Sequence, residues 1–166
     1  MTRLPHDFVH PLSVALPGAG GHRLRPISGA DAPLDHPAVM GSREGLWAVY
    51  GKAWGRPSAT MSYEANREDL QRHAAETEAH RSFNHTVENG DRTALRGCVS
   101  IDPPEKTGAD AEISWWVVDE EVGGELERAL DTFVPRWIAE DWPLARPRFV
   151  GRDLTWDEWL ALPDIG

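Results

Sequence analysis

The chain has one cysteine, two lysines and two tyrosines among its 166 residues. The single thiol, Cys98, excludes an internal disulfide and points to a reducing compartment, so the expected location is cytoplasmic. Without a basic neighbour or a helix N-terminus beside it, it reads as a small buried hydrophobe. No apolar run approaches the roughly 18 residues of a spanning helix. The segment Met1 to Phe8 has no apolar core of a secretory signal. These features argue against a membrane role. A net charge of −10 leaves no excess of basic side chains for phosphate, which argues against nucleic acid as a partner. No repeat, low-complexity tract or linker is visible, and one domain over 1–166 is expected.

Much else is present. Hydrophobic residues make up 40% of the chain, enough for a sizeable core. Eight tryptophans supply large buried areas. Two extended runs, Val14–Leu16 and His22–Ile27, flank a glycine-rich turn and read as a hairpin. Asp31 to Tyr50 reads as a broken helix, with Asp35 and Ser42 as caps, and Gly51 to Pro57 as loop. Ser62 caps a polar helix ending near Arg81. Three strands follow, at 82–87, 94–102 and 110–118. Asn89-Gly90 is a hairpin signal, although Asp91-Arg-Thr can lengthen the loop. The alternation describes an antiparallel meander with apolar residues on both faces, which helices should cover. After Gly123-Gly124 the apolar stripe Leu126, Leu130, Phe133, Val134, Trp137 and Ile138 marks a helix. Pro135 should kink or split it. Arg146–Val150 is a last strand, and Thr155 caps a short final helix, Trp156 to Leu162.

Strand, glycine turn, helix is an arrangement that aims backbone N–H groups at an anion. The run Ala94-Leu-Arg-Gly-Cys-Val-Ser-Ile, the run Ala111-Glu-Ile-Ser-Trp-Trp-Val and the opening Leu24-Arg-Pro-Ile resemble core strands of the GNAT superfamily of N-acetyltransferases. Order and spacing match over about residues 20–150. The resemblance implies an α/β fold of the α+β kind: a mixed, mostly antiparallel sheet flanked by helices, with a shortened C-terminus. It implies acetyl-CoA as cofactor and an amine or peptide as acceptor, with a homodimer as one available assembly. In that family the strand equivalent to 110–118 pairs its backbone with the pantetheine arm, and the following turn wraps the diphosphate. The cofactor-binding residues implied are Trp116, Val117, Val118, Gly123 and Gly124. The cleft should open between 110–118 and 146–150.

The turn departs from the family pattern. Glu121 or Glu120 stands where glutamine or arginine is usual, and Leu126 or Glu125 where a small residue is usual. One carboxylate about 5 Å from a phosphate charge costs roughly 3 kcal/mol before screening. These carboxylates must turn outward or be paired, with Arg128 the nearest partner along the helix. The family's tyrosine beyond its fifth strand, which can protonate the leaving thiolate, has no counterpart, because Tyr50 and Tyr63 lie far upstream.

Acyl transfer to an amine needs a base, a polarised carbonyl and a proton for the thiolate. Glu112, at the start of its strand, is the candidate base. His85, sharing a face with Phe83 and Val87, is the second. His73, Glu76 and His80 share one helix face; it reads as solvated, and no metal is expected. Trp47, Tyr50 and Trp54 form a core stripe whose alternative reading is an aromatic wall of a ligand cleft. Two functions follow: an N-acyltransferase, or a GNAT-like small-ligand or protein-interaction module that has lost acetyl-CoA binding.

Overall fold

Alternation in the central strands decides the layering. Phe83, Val87, Val99, Ile101, Ile113, Trp115 and Val117 project to one face and are buried there with the inner stripe of one long helix. The computed structural model describes residues 4, 5 and 7–166. Its elements are β1 (Val14–Ala15), β2 (Arg23–Pro26), α1 (Ala32–Gly41), α2 (Arg43–Trp54), α3 (Tyr63–Glu78), β3 (Phe83–Glu88), β4 (Leu95–Asp102), β5 (Ala111–Val117), α4 (Glu125–Asp141), β6 (Pro147–Phe149) and α5 (Trp156–Leu160). The six strands lie in chain order in one sheet. Every pair is antiparallel except β5–β6, which is parallel. The mixed, mostly antiparallel sheet with flanking helices is the expected architecture. No helix of the described residues is long and apolar enough to cross a membrane.

The two faces of the sheet differ in chemistry. Against α4 lies the apolar core. The other face carries Asn84, Thr86, Cys98, Ser100, Ser114 and Trp116, a more polar set than the expected apolar one, and α1 to α3 lie over it. Gly97 belongs to the close β4–β5 contact: a β-carbon there would run into the carbonyl of Trp116.

Three local expectations are refined. Pro135 does not split its helix, since α4 runs unbroken from Glu125 to Asp141. The lost amide bond and the ring's clash with the preceding turn cost about 3 kcal/mol. Val134 and Ile138, both fully buried beside it, return about 1.5–3 kcal/mol each. α2 continues to Trp54, into the expected loop, and stops on left-handed Gly55. The β3–β4 turn is a longer loop than Asn89-Gly90 alone, because Asn89 Oδ1 accepts the N–H groups of Thr93 (2.9 Å) and Ala94 (3.0 Å). Caps at Ser62 and Thr155 form as read; Thr155 and Glu158 make a reciprocal capping box. The C-terminal segment folds back beside the start of β5, where Thr107 N–H donates to Pro163 O (2.9 Å) and Ile165 N–H to Glu105 O (3.0 Å).

Candidate functional site

The parallel pairing of β5 and β6 lasts three residues, from Ala111–Pro147 to Ile113–Phe149. Val150 N–H still donates to Ile113 O (3.0 Å), and the chain then turns away at Gly151, φ 83°. β5 continues to Val117 with no strand beside it on that side. Val118 N–H donates to Arg96 O (2.9 Å), so Trp116 and Val118 direct their peptide groups at β4. Trp115 and Val117 therefore present theirs to the gap. The gap is a cleft of about 560 Å³, bounded by β5, Val150 to Arg152, Trp156 and one side of α2. Arg152 stacks over Trp115, 4.9 Å from the ring centre.

At the end of the cleft stands the glycine turn, with Gly123 at φ 72° and Gly124 as the N-cap of α4. Four of its N–H groups are engaged within the chain. Glu121 N–H donates to Val118 O (2.9 Å), Val122 N–H to Asp119 O (3.3 Å) and Gly124 N–H to Glu121 O (2.9 Å). Gly123 N–H donates to the carboxylate of Glu127 (3.1 Å). Arg128 does not pair with the turn's carboxylates as expected; its guanidinium donates to Gly123 O (2.6 Å), and Glu120 pairs instead with Arg96 (3.1 Å). Leu126 is core, 2% exposed. The open edge of β5 thus fits the pantetheine half of acetyl-CoA. The turn, with these four amides used and its side chains acidic, fits the diphosphate poorly, and the N–H groups of Glu125 to Glu127, ahead of the first helical bond from Arg128 N–H to Gly124 O, are the ones left to an anion.

A second cavity of about 580 Å³ lies on the polar face, between β3–β5 and helices α1 to α3. Its floor includes Asn84, Ser100 and Ser114 and its roof Asp35, Asn66 and His73. Burial raises the carboxyl groups of Asp35 and Asp102 above the usual aspartate range. It also pushes the Cys98 thiol up to about 12 and holds the Tyr50 phenol above its ordinary value. Cys98 is therefore a neutral lining group. The two cavities share Leu46, Tyr50 and Trp116. Tyr50 stacks on Trp54, centroids 5.3 Å apart and planes 5° from parallel. Both belong to the cavity wall, whereas Trp47 is 43% exposed.

The structure does not bring the two candidate bases together. Glu112 is buried, lines neither cavity and accepts four hydrogen bonds. It accepts from Trp159 Nε1 (2.9 Å), Arg148 Nη1 (3.1 Å), Glu105 N (3.1 Å) and Lys106 N (3.3 Å). It ties β6, α5 and the β4–β5 loop to β5, with no lone pair directed into either cavity by these bonds. His85 lies on the other face of the sheet, edge-on to Trp137 at 5.1 Å. Its Nε2 donates to Pro11 O (3.2 Å) and its Nδ1 has no partner. Burial lowers its pKa to about 4. Of the expected cofactor residues, Trp116 and Val117 line the cleft, Val118 leads out of it, and Gly123 and Gly124 form the turn. The expected His73, Glu76, His80 face divides: His73 enters the second cavity, Glu76 pairs with Arg72 (3.0 Å), and His80 lies past the helix end against Phe83.

This sheet order, with a parallel β5–β6 pair that splays, has known counterparts. A crystal structure of a probable acetyltransferase superposes with a TM-score of 0.61 at 18% identity, covering 81% of this chain and 72% of the other. Ribosomal-protein-S5-alanine acetyltransferase from Vibrio fischeri gives 0.54 at 16% identity, covering 85% and 77%. Spermidine N-acetyltransferase from Vibrio cholerae, solved with CoA and spermine, gives 0.51 at 13% identity, covering 72% and 64%. The fold is the GNAT acetyltransferase fold. No family model and no curated protein matches the sequence. The sequence resemblance stated above is shown at the level of fold. An open strand edge and a cavity containing carboxylates thus lie on either side of a wall that Leu46, Tyr50 and Trp116 share.

Proposed function

We propose that the chain is an N-acyltransferase that moves an acetyl group from acetyl-CoA to a small amine. The observation that carries this reading is the junction of the two cavities at Leu46, Tyr50 and Trp116. A strand edge suited to a pantetheine arm on one side and a carboxylate-bearing cavity on the other share a wall whose one phenol is Tyr50. Acetyl-CoA, when bound, supplies the activated acyl carbonyl. The peptide groups of Trp115 and Val117 would hold its arm along β5. Asp35 receives the proton of the amine, and burial gives this carboxyl a greater proton affinity than an exposed aspartate. Tyr50 keeps its phenolic proton through the physiological range and stands at the junction as proton donor. It takes the part that the family resemblance gives to a tyrosine beyond the fifth strand. A reducing, cytoplasmic setting suits the single buried thiol.

The engaged turn favours a second reading, a GNAT-fold module that binds a small ligand without turnover. Thiol release from acetyl-CoA in the presence of a panel of primary amines separates the two. Amine-dependent release, with acetyl-CoA binding tighter than about 100 μM by calorimetry, supports the enzyme. No release and no heat at millimolar acetyl-CoA replaces it with the module.

A further inference from the structure

The second cavity carries an unmatched set of polar groups. Asn66 is 3% exposed and lines it. Its Nδ2 donates to Asp35 Oδ2 at 2.8 Å, which fixes the amide orientation. Its Oδ1, buried, has no hydrogen-bond partner. Asp35 is 6% exposed, and among the described residues no ion pair involves it. A buried carbonyl oxygen lacking a donor and a buried carboxylate lacking a cation lie on one hydrogen-bonded pair of side chains. Each costs free energy while it stays so. The basic lining groups do not repair this. Arg72 is committed to Asp69 and Glu76, and His73 lies 3.4 Å from Asp69. Arg56 is exposed at the rim. Around the polar pair the walls are apolar and aromatic, from Ile27, Leu70 and Met61 to the stacked rings of Tyr50 and Trp54.

We propose that this cavity binds a small organic ammonium ion with an apolar body, its N–H donors on the Asp35 carboxylate and Asn66 Oδ1 and its body against the Tyr50–Trp54 wall. An ammonium group supplies the donors and the charge that this pair lacks, and π faces favour a cation beside them. A volume of about 580 Å³ is that of a small-molecule site rather than a docking face for a protein. This inference names the acceptor class for the acyltransferase reading. It is tested without acetyl-CoA, so the two can fail separately.

The experiment titrates the full chain by calorimetry with phenethylamine and, in parallel, with 2-phenylethanol, its uncharged counterpart. The amine is expected to bind at least about tenfold more tightly than the alcohol, the factor expected of a charged hydrogen bond. Asp35→Asn should abolish that difference while leaving alcohol binding in place. Asn66→Ala should weaken the amine selectively, and it serves where Asp35→Asn fails to fold. Equal binding of amine and alcohol by the unaltered protein, or no binding of either, overturns the proposal without any variant. So does unchanged amine affinity in a folded Asp35→Asn protein. Loss of thiol release with amine binding intact would instead remove only the transferase reading.

Discussion

The Glu127 carboxylate accepts the Gly123 N–H at 3.1 Å, so a side chain of α4 fills the place where a turn of this kind would hold a phosphate oxygen. Arg152 lies 3.7 Å from the same carboxylate and offsets only part of its charge. Glu127→Gln keeps an oxygen for the Gly123 N–H and removes the charge. Acetyl-CoA affinity should rise about tenfold at low ionic strength and less at high salt, as expected for a partly screened charge–phosphate repulsion. Calorimetry at two salt concentrations reads it, and a salt-independent or absent gain would show that the turn does not limit the donor. Restoring a small residue at 126 is the wrong repair. Leu126 is buried in the main core, and its truncation costs about 2–5 kcal/mol.

Tyr50→Phe keeps the ring that stacks on Trp54 and removes the phenolic proton. In the acyltransferase reading kcat should fall about 10²-fold, with KM for the amine little changed. An unaltered kcat would remove Tyr50 from the chemistry and leave it as wall.

Glu112 should behave as a structural carboxylate. It pairs with Arg148 at 3.1 Å, and both side chains are largely buried, 7% and 14% exposed. Glu112→Ala strands the guanidinium and the other donors around it, and should cost about 3–5 kcal/mol in denaturant unfolding. Activity should fall only as far as the folded fraction does. A stably folded Glu112→Gln protein with turnover reduced a hundredfold or more would return the base to Glu112.

His85 links stability to pH. Its folded pKa, about 4, lies below the ordinary value near 6.5. The unfolded chain therefore binds the proton first, and stability present above pH 6.5 is lost as pH falls towards 4. Between pH 7 and pH 5 this one group should remove roughly 2 kcal/mol. Asp35 and Asp102, whose carboxyls are raised by burial, act with the opposite sign, so the measurement is a difference. Denaturant unfolding at both pH values should give a smaller loss for His85→Phe than for the unaltered chain. Equal losses would place the acid sensitivity elsewhere.

Strands were legible because period-2 alternation survives in Phe83–Val87, Leu95–Ile101 and Ile113–Val117, and caps because Ser62 and Thr155 act locally. Which residues of different strands share a face was not. That depends on register: His85 aligns with Val99 and, through it, with Trp115, whereas Glu112 aligns with Asp102. One residue of parity therefore separates the two candidate bases by the thickness of the sheet. Tyr50, proposed above as proton donor, carries no such signal in the sequence, because the family resemblance points to a tyrosine beyond the fifth strand, and only the packing of α2 places Tyr50 on the wall shared by the two cavities. The stripe Trp47, Tyr50, Trp54 held the available signal, as the aromatic-wall alternative. Asp35 was read as a helix cap. Its partner Asn66 is 31 residues away, and no local pattern links them. The acidity of the turn was plain in the sequence, but its closure by Glu127 was not.

Helix α2 is anchored to the β5 cleft at its start, where Ser42 Oγ accepts the Asp119 N–H at 2.9 Å, and it contributes Leu46 and Tyr50 to both cavities. A displacement of that helix cannot widen one chamber without reshaping the other. A ligand of one cavity that shifts this helix alters the affinity of the other cavity, and thermodynamic reciprocity then requires the second ligand to alter the affinity of the first by the same factor. The order in which two ligands arrive would then be a property of this partition rather than of either chamber alone.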